Sequence, residues 1–235
     1  MSEVLFSETQ AATARDFTED RFFYKFARPL LPAPSGERNR LVDLGCGAGE
    51  LSVSARDLGW DVTAVDVSPG NVDNVRKLGF VAEVADLNQP LPFANATFDF
   101  VTMTEVIEHV VNAELLLGEA ARMLRPGGRL LISTPNIGYY SCRFGTLIGK
   151  PPKGEGYHFR FFTKKLLERK LREAGFAVVQ RNSFNMDHLV NQTRKLLRRK
   201  PNFQRRVSPR LETLLAHTFV WLVELQPNWQ HELSP

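Results

Sequence analysis

A chain of 235 residues, 43% hydrophobic and 24% charged, has the composition of a globular domain with enough apolar mass for a real core. Its two cysteines exclude a disulfide framework, no apolar run approaches the roughly 18–20 residues needed to span a bilayer, and MSEVLFSETQ lacks a secretory pattern, so a cytoplasmic setting is expected. The net charge of +4 is unevenly spread: residues 150–210 hold 17 Lys/Arg against 4 Asp/Glu, which implies an anionic partner, an anionic membrane face or a solvated basic surface.

In chain order, residues 15–31 place apolar groups at helical spacing and PAPSGE (32–37) then breaks the chain, so residues 1–37 are expected to form an N-terminal helical cap. A domain over 38–226 follows. RLVDLG reads as a buried strand, ELSVSARDLG as a helix ended by Gly59, DVTAVDVS as a strand, GNVDNVRKLG as a helix ended by Gly79, and VAEVAD as a strand. FDFVTMT is a strand, ELLLGEAARMLRPGG a helix with a Pro-Gly stop, and GRLLISTPN a strand; a helix over 163–174 and strands FAVVQRNSF and TFVWLVEL (218–225) complete the set. Strands alternating with short helices predict an α/β, Rossmann-like, doubly wound and mostly parallel sheet. Residues 137–162, rich in glycine, proline and tyrosine, read as a lid over an acceptor; 187–210 read as a basic helical insertion, and 227–235 as a tail.

LVDLGCGAGELS (41–52) carries the first chemical signal. A dinucleotide turn reads G-x-G-x-x-G, but Gly45, Gly47 and Gly49 alternate here and Glu50 occupies the third-glycine position, where it would repel a pyrophosphate. No G-K-[ST] follows, which removes a P-loop. Asp43 suits a ligand end bearing an ammonium. Asp66 can take both ribose hydroxyls, and Asp86-Leu87 can accept from an adenine amino group and pack its ring. Acid, glycine turn, acid, acid describes a site for a cationic, phosphate-free adenosine with an amino-acid tail, which is S-adenosylmethionine.

The successive segments LVDLGCGAGELS, VDVS, ADLNQPLPF, FDFVTMTEVIEHV and MLRPGGRLLISTPN resemble the ordered motifs of class I S-adenosylmethionine-dependent methyltransferases, over about residues 38–180. The resemblance implies seven strands with the last antiparallel, and carries over Gly45, Gly47, Asp66 and Asp86 as cofactor contacts. With Asp43, Val67, Leu87 and Thr104 these make the expected cofactor set.

TEVIEHV (104–110) follows the fourth strand. Read as a helix capped by Thr104, it puts Glu105, Glu108 and His109 at i, i+3 and i+4 on one face. Two carboxylates and an imidazole can hold Mg2+ or another divalent ion, with His158 of YHFRFFT as a fourth ligand. Without an ion, Glu105 and His109 are candidate catalytic contacts and His109 the candidate base; His109 as a packed helix residue is the remaining alternative. E-x-x-E-H with a later histidine resembles the ubiquinone-biosynthesis O-methyltransferases, which act on catechol-like rings. It also resembles the small-RNA 3′-end 2′-O-methyltransferases, where it holds magnesium, although the histidine-rich stretch of the latter is reduced here to His158. TPN (134–136) follows strand five and is not an amino-methyltransferase D/N-P-P-Y box.

The expectation is therefore O-methylation of a small-molecule acceptor, quinone-like or lipid- or sugar-linked. Methylation of RNA 2′-hydroxyls and a non-catalytic cofactor sensor stand as alternatives. The basic block 189–206, with Leu189, Leu196 and Leu197 beside Arg194, Lys195, Arg198, Arg199 and Lys200, could lie on an anionic membrane, track RNA phosphates, hold an anionic headgroup or simply cover the sheet.

Overall fold

The computed structural model describes residues 24–37, 39–151, 157–185, 205–227 and 229. The expected cap lies mostly outside these residues; its described part is one short helix, α1 (Tyr24–Ala27), and a 3-10 turn, Arg28–Leu30. Alternating strands and helices then follow: β1 (Arg40–Leu44), α2 (Glu50–Asp57), β2 (Asp61–Asp66), α3 (Pro69–Lys77), β3 (Val81–Val84), β4 (Phe98–Thr104), α4 (Ala113–Met123) and β5 (Leu124–Pro135). After them come α5 (Tyr140–Leu147), α6 (Lys164–Glu173), β6 (Phe176–Arg181), β7 (Phe184–Asn185), β8 (Arg205–Arg206), α7 (Glu212–Leu215) and β9 (Thr218–Leu225).

Strands β1 to β5 are parallel in the order β3-β2-β1-β4-β5. Strand β9 joins β5 antiparallel, and β6 pairs antiparallel with β9, so the seven main strands are mostly parallel with the last one reversed. Two-residue strands β7 and β8 extend the β9 margin. The order reverses between β1 and β4, and the carboxyl ends of the strands there are where such sheets bind ligands.

Alternation of side chains sorts the core onto two faces. Val101, Met103, Leu130 and Ile132 pack with Leu116, Leu117 and Ala120 of α4 and Leu167 and Leu171 of α6. Leu41, Val62, Phe100 and Leu131 pack with Leu51 and Ala55 of α2 and Val72 and Val75 of α3. Every residue of β4 is buried, as a strand covered on both faces requires. Each such Leu, Val or Phe contributes about 1.5–3 kcal/mol by leaving water.

One expectation is corrected, and two segments are set beside what the structure describes. The Pro-Gly segment is not a helix end: α4 stops at Met123 and residues 124–128 already belong to β5, forming an irregularity between Phe98 and Phe100 of β4. Arg125 sets it by gripping both oxygens of buried Asp99 at 2.9 Å. Within the stretch read as a lid, residues 140–147 are helical with none of them buried. The proposed basic helix lies largely outside the described residues, and its end, 205–210, is a two-residue strand and a turn because Arg205 and Arg206 pair with Asn185 and Phe184.

Candidate active site

The turn after β1 is built on left-handed backbone, with φ of 72°, 56° and 90° at Gly45, Gly47 and Gly49. A Cβ on Gly45 would stand 2.4 Å from Val106 Cγ2, whereas one on Gly47 would meet nothing within 4 Å. The turn hangs from β2: the amides of Gly45 and Cys46 donate to Val65 O, and that of Gly47 donates to Asp66 Oδ2 at 2.9 Å. Asp66 Oδ1 accepts from Ser68 N–H and Asn71 Nδ2, which fixes the carboxylate at the tip of the strand.

Asp43 is sunk deeper. Its oxygens accept from Ser52 and Thr102 hydroxyls, each at 2.6 Å, and burial pushes its pKa up. Its direct partners are therefore protein hydroxyls, and it braces the turn against β4. Glu50 is 1% exposed in the first turn of α2. Asp86 is exposed and holds Asn88 N–H and Nδ2 at 2.9 Å; Leu87 beside it is buried and Val67 half-buried. Segments 43–50, 66–68 and 86–88 contain four carboxylates and no Lys or Arg. Such a rim repels phosphate and favours a positively charged adenosyl ligand, and the bare side of Gly47 leaves room for it.

The predicted capped helix at 104–110 is not there. Thr104, 8% exposed, ends β4 in register with Ser133, and Glu105 turns left-handed at φ 55°. A right-handed helix cannot run through that residue. Its amide instead donates to Ser133 O and Oγ, both at 3.1 Å, and Ser133 Oγ donates to Glu105 Oε1 at 2.8 Å. One 3-10 turn, Ile107–His109, follows, and α4 begins only after its own cap, Asn112.

This geometry brings three of the four expected ligands together. Glu108, His109 and His158 each offer one ligand atom within 4.8 Å of the others; Glu105 is not one of this group. Glu108 is buried, with Oε2 accepting from Thr134 Oγ1 at 2.9 Å. Its Oε1 is buried without a hydrogen-bond partner and lies 3.9 Å from His109 Nε2. His109 Nδ1 is 2.9 Å from Tyr157 O; a carbonyl only accepts, so Nδ1 carries a proton and Nε2 is the ring nitrogen that faces Glu108. Burial and the neighbouring His109 hold His158 down to about pKa 4, neutral and able to ligate at pH 7.

The chain matches the methyltransferase domain family model over residues 17–181. It belongs to that family. The ubiquinone biosynthesis O-methyltransferase of Sinorhizobium fredii is 28% identical over 187 residues, covering 75% of each chain. Among solved structures, an S-adenosylmethionine-dependent methyltransferase from Mesorhizobium loti superposes with a TM-score of 0.63 at 20% identity, covering 88% of this chain and all of that one. The Burkholderia thailandensis 1,6-didemethyltoxoflavin-N1-methyltransferase, solved with 1,6-didemethyltoxoflavin and S-adenosylhomocysteine, gives 0.61 at 21% identity over 96% and 88%. These structures share the fold, and the protein is an S-adenosylmethionine-dependent methyltransferase.

In this methyltransferase the sequence motifs converge at the carboxyl ends of β1, β2, β3 and β4. Ser133 and the Tyr157 carbonyl belong to the candidate site without being assigned by any motif, whereas Thr134 falls among the polar residues at the strand ends that the sequence already points to. Ser133 carries one signal, because parallel neighbours end level and the end of β5 must stand beside Thr104–Glu105. The carbonyl had none, since any residue supplies one.

Proposed function

We propose that this methyltransferase methylates a hydroxyl of a small, quinone-like ring, with Glu108, His109 and His158 on the acceptor side and Asp66, Asp86, Leu87 and the glycine turn on the cofactor side. Bound S-adenosylmethionine supplies an electrophilic methyl group. The chain's own residues supply alignment and a place for the hydroxyl proton. Where no ion occupies Nε2, His109 takes that proton there, while the Tyr157 carbonyl on Nδ1–H orients the ring and stabilises the imidazolium. A divalent ion held by Glu108, His109 and His158 would acidify the hydroxyl and fix its oxygen.

What carries the reading is the buried, unbonded Oε1 of Glu108 beside two imidazoles. A carboxylate oxygen in that position is costly unless a cation or donor completes it. The relatives named for ubiquinone biosynthesis support a ring hydroxyl as acceptor.

The test is methyl transfer to a simple catechol, followed by mass spectrometry of the methyl ether and of S-adenosylhomocysteine, with EDTA or added Mg2+. The expected result is a methyl ether, a rate at least tenfold lower in EDTA, and recovery with Mg2+. A rate indifferent to EDTA assigns proton removal to His109 alone, and absence of any ether product overturns the hydroxyl acceptor.

A further inference from the structure

The backbone of Val111, just ahead of the α4 cap, is held on both sides of its Cα by side chains from opposite sides of the site. Its N–H donates to Asn88 Oδ1 at 2.7 Å, and Asn88 is in turn held by Asp86 through two hydrogen bonds. Its carbonyl accepts from Arg160, from Nε at 2.9 Å and also from Nη2. The backbone joins the same two segments a second time: Phe159 N–H and Arg160 N–H both donate to Glu108 O, at 2.8 and 3.1 Å. His158 lies between the Tyr157 and Phe159 anchors, its ring 4.8 Å from that of His109.

We propose that Arg160 is a positioning residue for methyl transfer, acting through the Val111 carbonyl to clamp the 157–160 segment onto the 108–111 turn. The proposal rests on the acceptor side being built around Glu108, His109 and His158. The Arg160 guanidinium bonds the Val111 carbonyl, so this effect reaches those groups through backbone. A guanidinium fork places two donors on one carbonyl and fixes direction as well as distance, which an ammonium does not. Asn88 grips the N–H of the same residue, so the segment carrying Asp86 and the segment carrying His158 share one anchor. Geometry at the acceptor side is thereby referenced to the cofactor side through the backbone of a single residue, and an ångström of misplacement there is costly to rate.

The experiment compares wild type, Arg160→Met and Arg160→Lys as full-length proteins saturated with S-adenosylhomocysteine. In Arg160→Met the amides of Phe159 and Arg160 should exchange with deuterium at least tenfold faster, while Leu130–Ile132 in the sheet exchange as in wild type. Affinity for S-adenosylhomocysteine should stay within twofold. Turnover of the catechol should lose at least tenfold in kcat with the KM for S-adenosylmethionine unchanged, and Arg160→Lys should recover part of both effects. If Arg160→Met does not fold, Asn88→Ala removes the acceptor of the Val111 N–H and should accelerate exchange at Val111 and Phe159 together. Unchanged exchange at Phe159, or acceleration spread through the sheet, would overturn the positioning role. Absence of catechol turnover in wild type would sink the acceptor reading instead, and the exchange and binding data would still decide Arg160.

Discussion

Glu105 and Ser133 lock the ends of β4 and β5 together: the serine hydroxyl donates to Glu105 Oε1 at 2.8 Å while receiving the Glu105 amide at 3.1 Å. That exchange holds a non-glycine residue at φ 55°, a conformation costing roughly 1–2 kcal/mol on its own. It also fixes a carboxyl group whose pKa burial pushes up to about 7, against the lowering effect of the Ser133 bond. A folded-state pKa above the unfolded value means that the native state binds the proton more tightly. The stabilisation is complete below about pH 4.5 and disappears as pH rises through 7.

The first prediction is accordingly a stability that falls between pH 5 and pH 8. Glu105→Gln should flatten part of that fall and be more stable than wild type at pH 8, by on the order of 1–3 kcal/mol. Glu108, raised by burial and by Glu105, contributes a slope of the same sign. Ser133→Ala, which removes the lowering bond, should move the Glu105 midpoint further up. Urea unfolding at both pH values reads all of this, and a wild-type stability that rises across the window would contradict the assignment.

His158 predicts the opposite slope. Its folded pKa of about 4 lies below the unfolded value, so the unfolded chain takes the proton first and stability is lost as pH falls from about 6.5 through 4. In proton spectra its ring resonance should stay at the neutral position until about pH 5. A His158 signal that titrates near 6.5 would mean that the ring is not desolvated beside His109.

Two glycines of one turn should behave differently. Gly45→Ala puts a methyl group against Val106 and on left-handed backbone, and should cost roughly 2–4 kcal/mol or abolish folding. Gly47→Ala suffers only the backbone strain, about 1 kcal/mol, because its Cβ would point into open space. That space is where the adenosyl ligand is expected, so Gly47→Ala should weaken S-adenosylhomocysteine by at least tenfold in calorimetry. Retained affinity in Gly47→Ala would place the ligand elsewhere.

The sheet and the cofactor rim were legible in the chain because they follow local rules. Apolar strands, glycine stops at Gly59 and Gly79, and acids at strand ends each declare themselves within a few residues. The segment after Thr104 was misread because its spacing suits a helix as well as a turn. What decides it is Ser133, some 28 residues away, whose hydroxyl captures the Glu105 amide and breaks the helical path. The same limit applies to the RPGG stretch. Its conformation depends on the Arg125 grip on Asp99, a tertiary contact that no local pattern announces. For Asp43 the charge alone suggests an ammonium partner, and the Ser52 and Thr102 hydroxyls that donate to its two oxygens become visible only with the fold.

Asp66 offers the sharpest separation of structure from ligand binding. One oxygen holds the Gly47 amide and the other holds Ser68 and Asn71, so the carboxylate both shapes the turn and presents charge at its mouth. In Asp66→Asn the side chain has one acceptor oxygen, and its NH2 group must face either Gly47 N–H or the Ser68–Asn71 donors. One donor set is then left unpaired, which costs about 1–3 kcal/mol of stability. Loss of the acceptor for ribose hydroxyls should lower S-adenosylhomocysteine affinity by at least thirtyfold in addition. Asp86→Ala is the control: its carboxylate is exposed and bonds only locally to Asn88, so it should weaken the ligand while shifting stability by less than about 0.5 kcal/mol. Calorimetry and urea unfolding on the same samples separate the two effects, and Asp66→Asn with reduced stability but undiminished affinity would make Asp66 a brace for the glycine turn and nothing more.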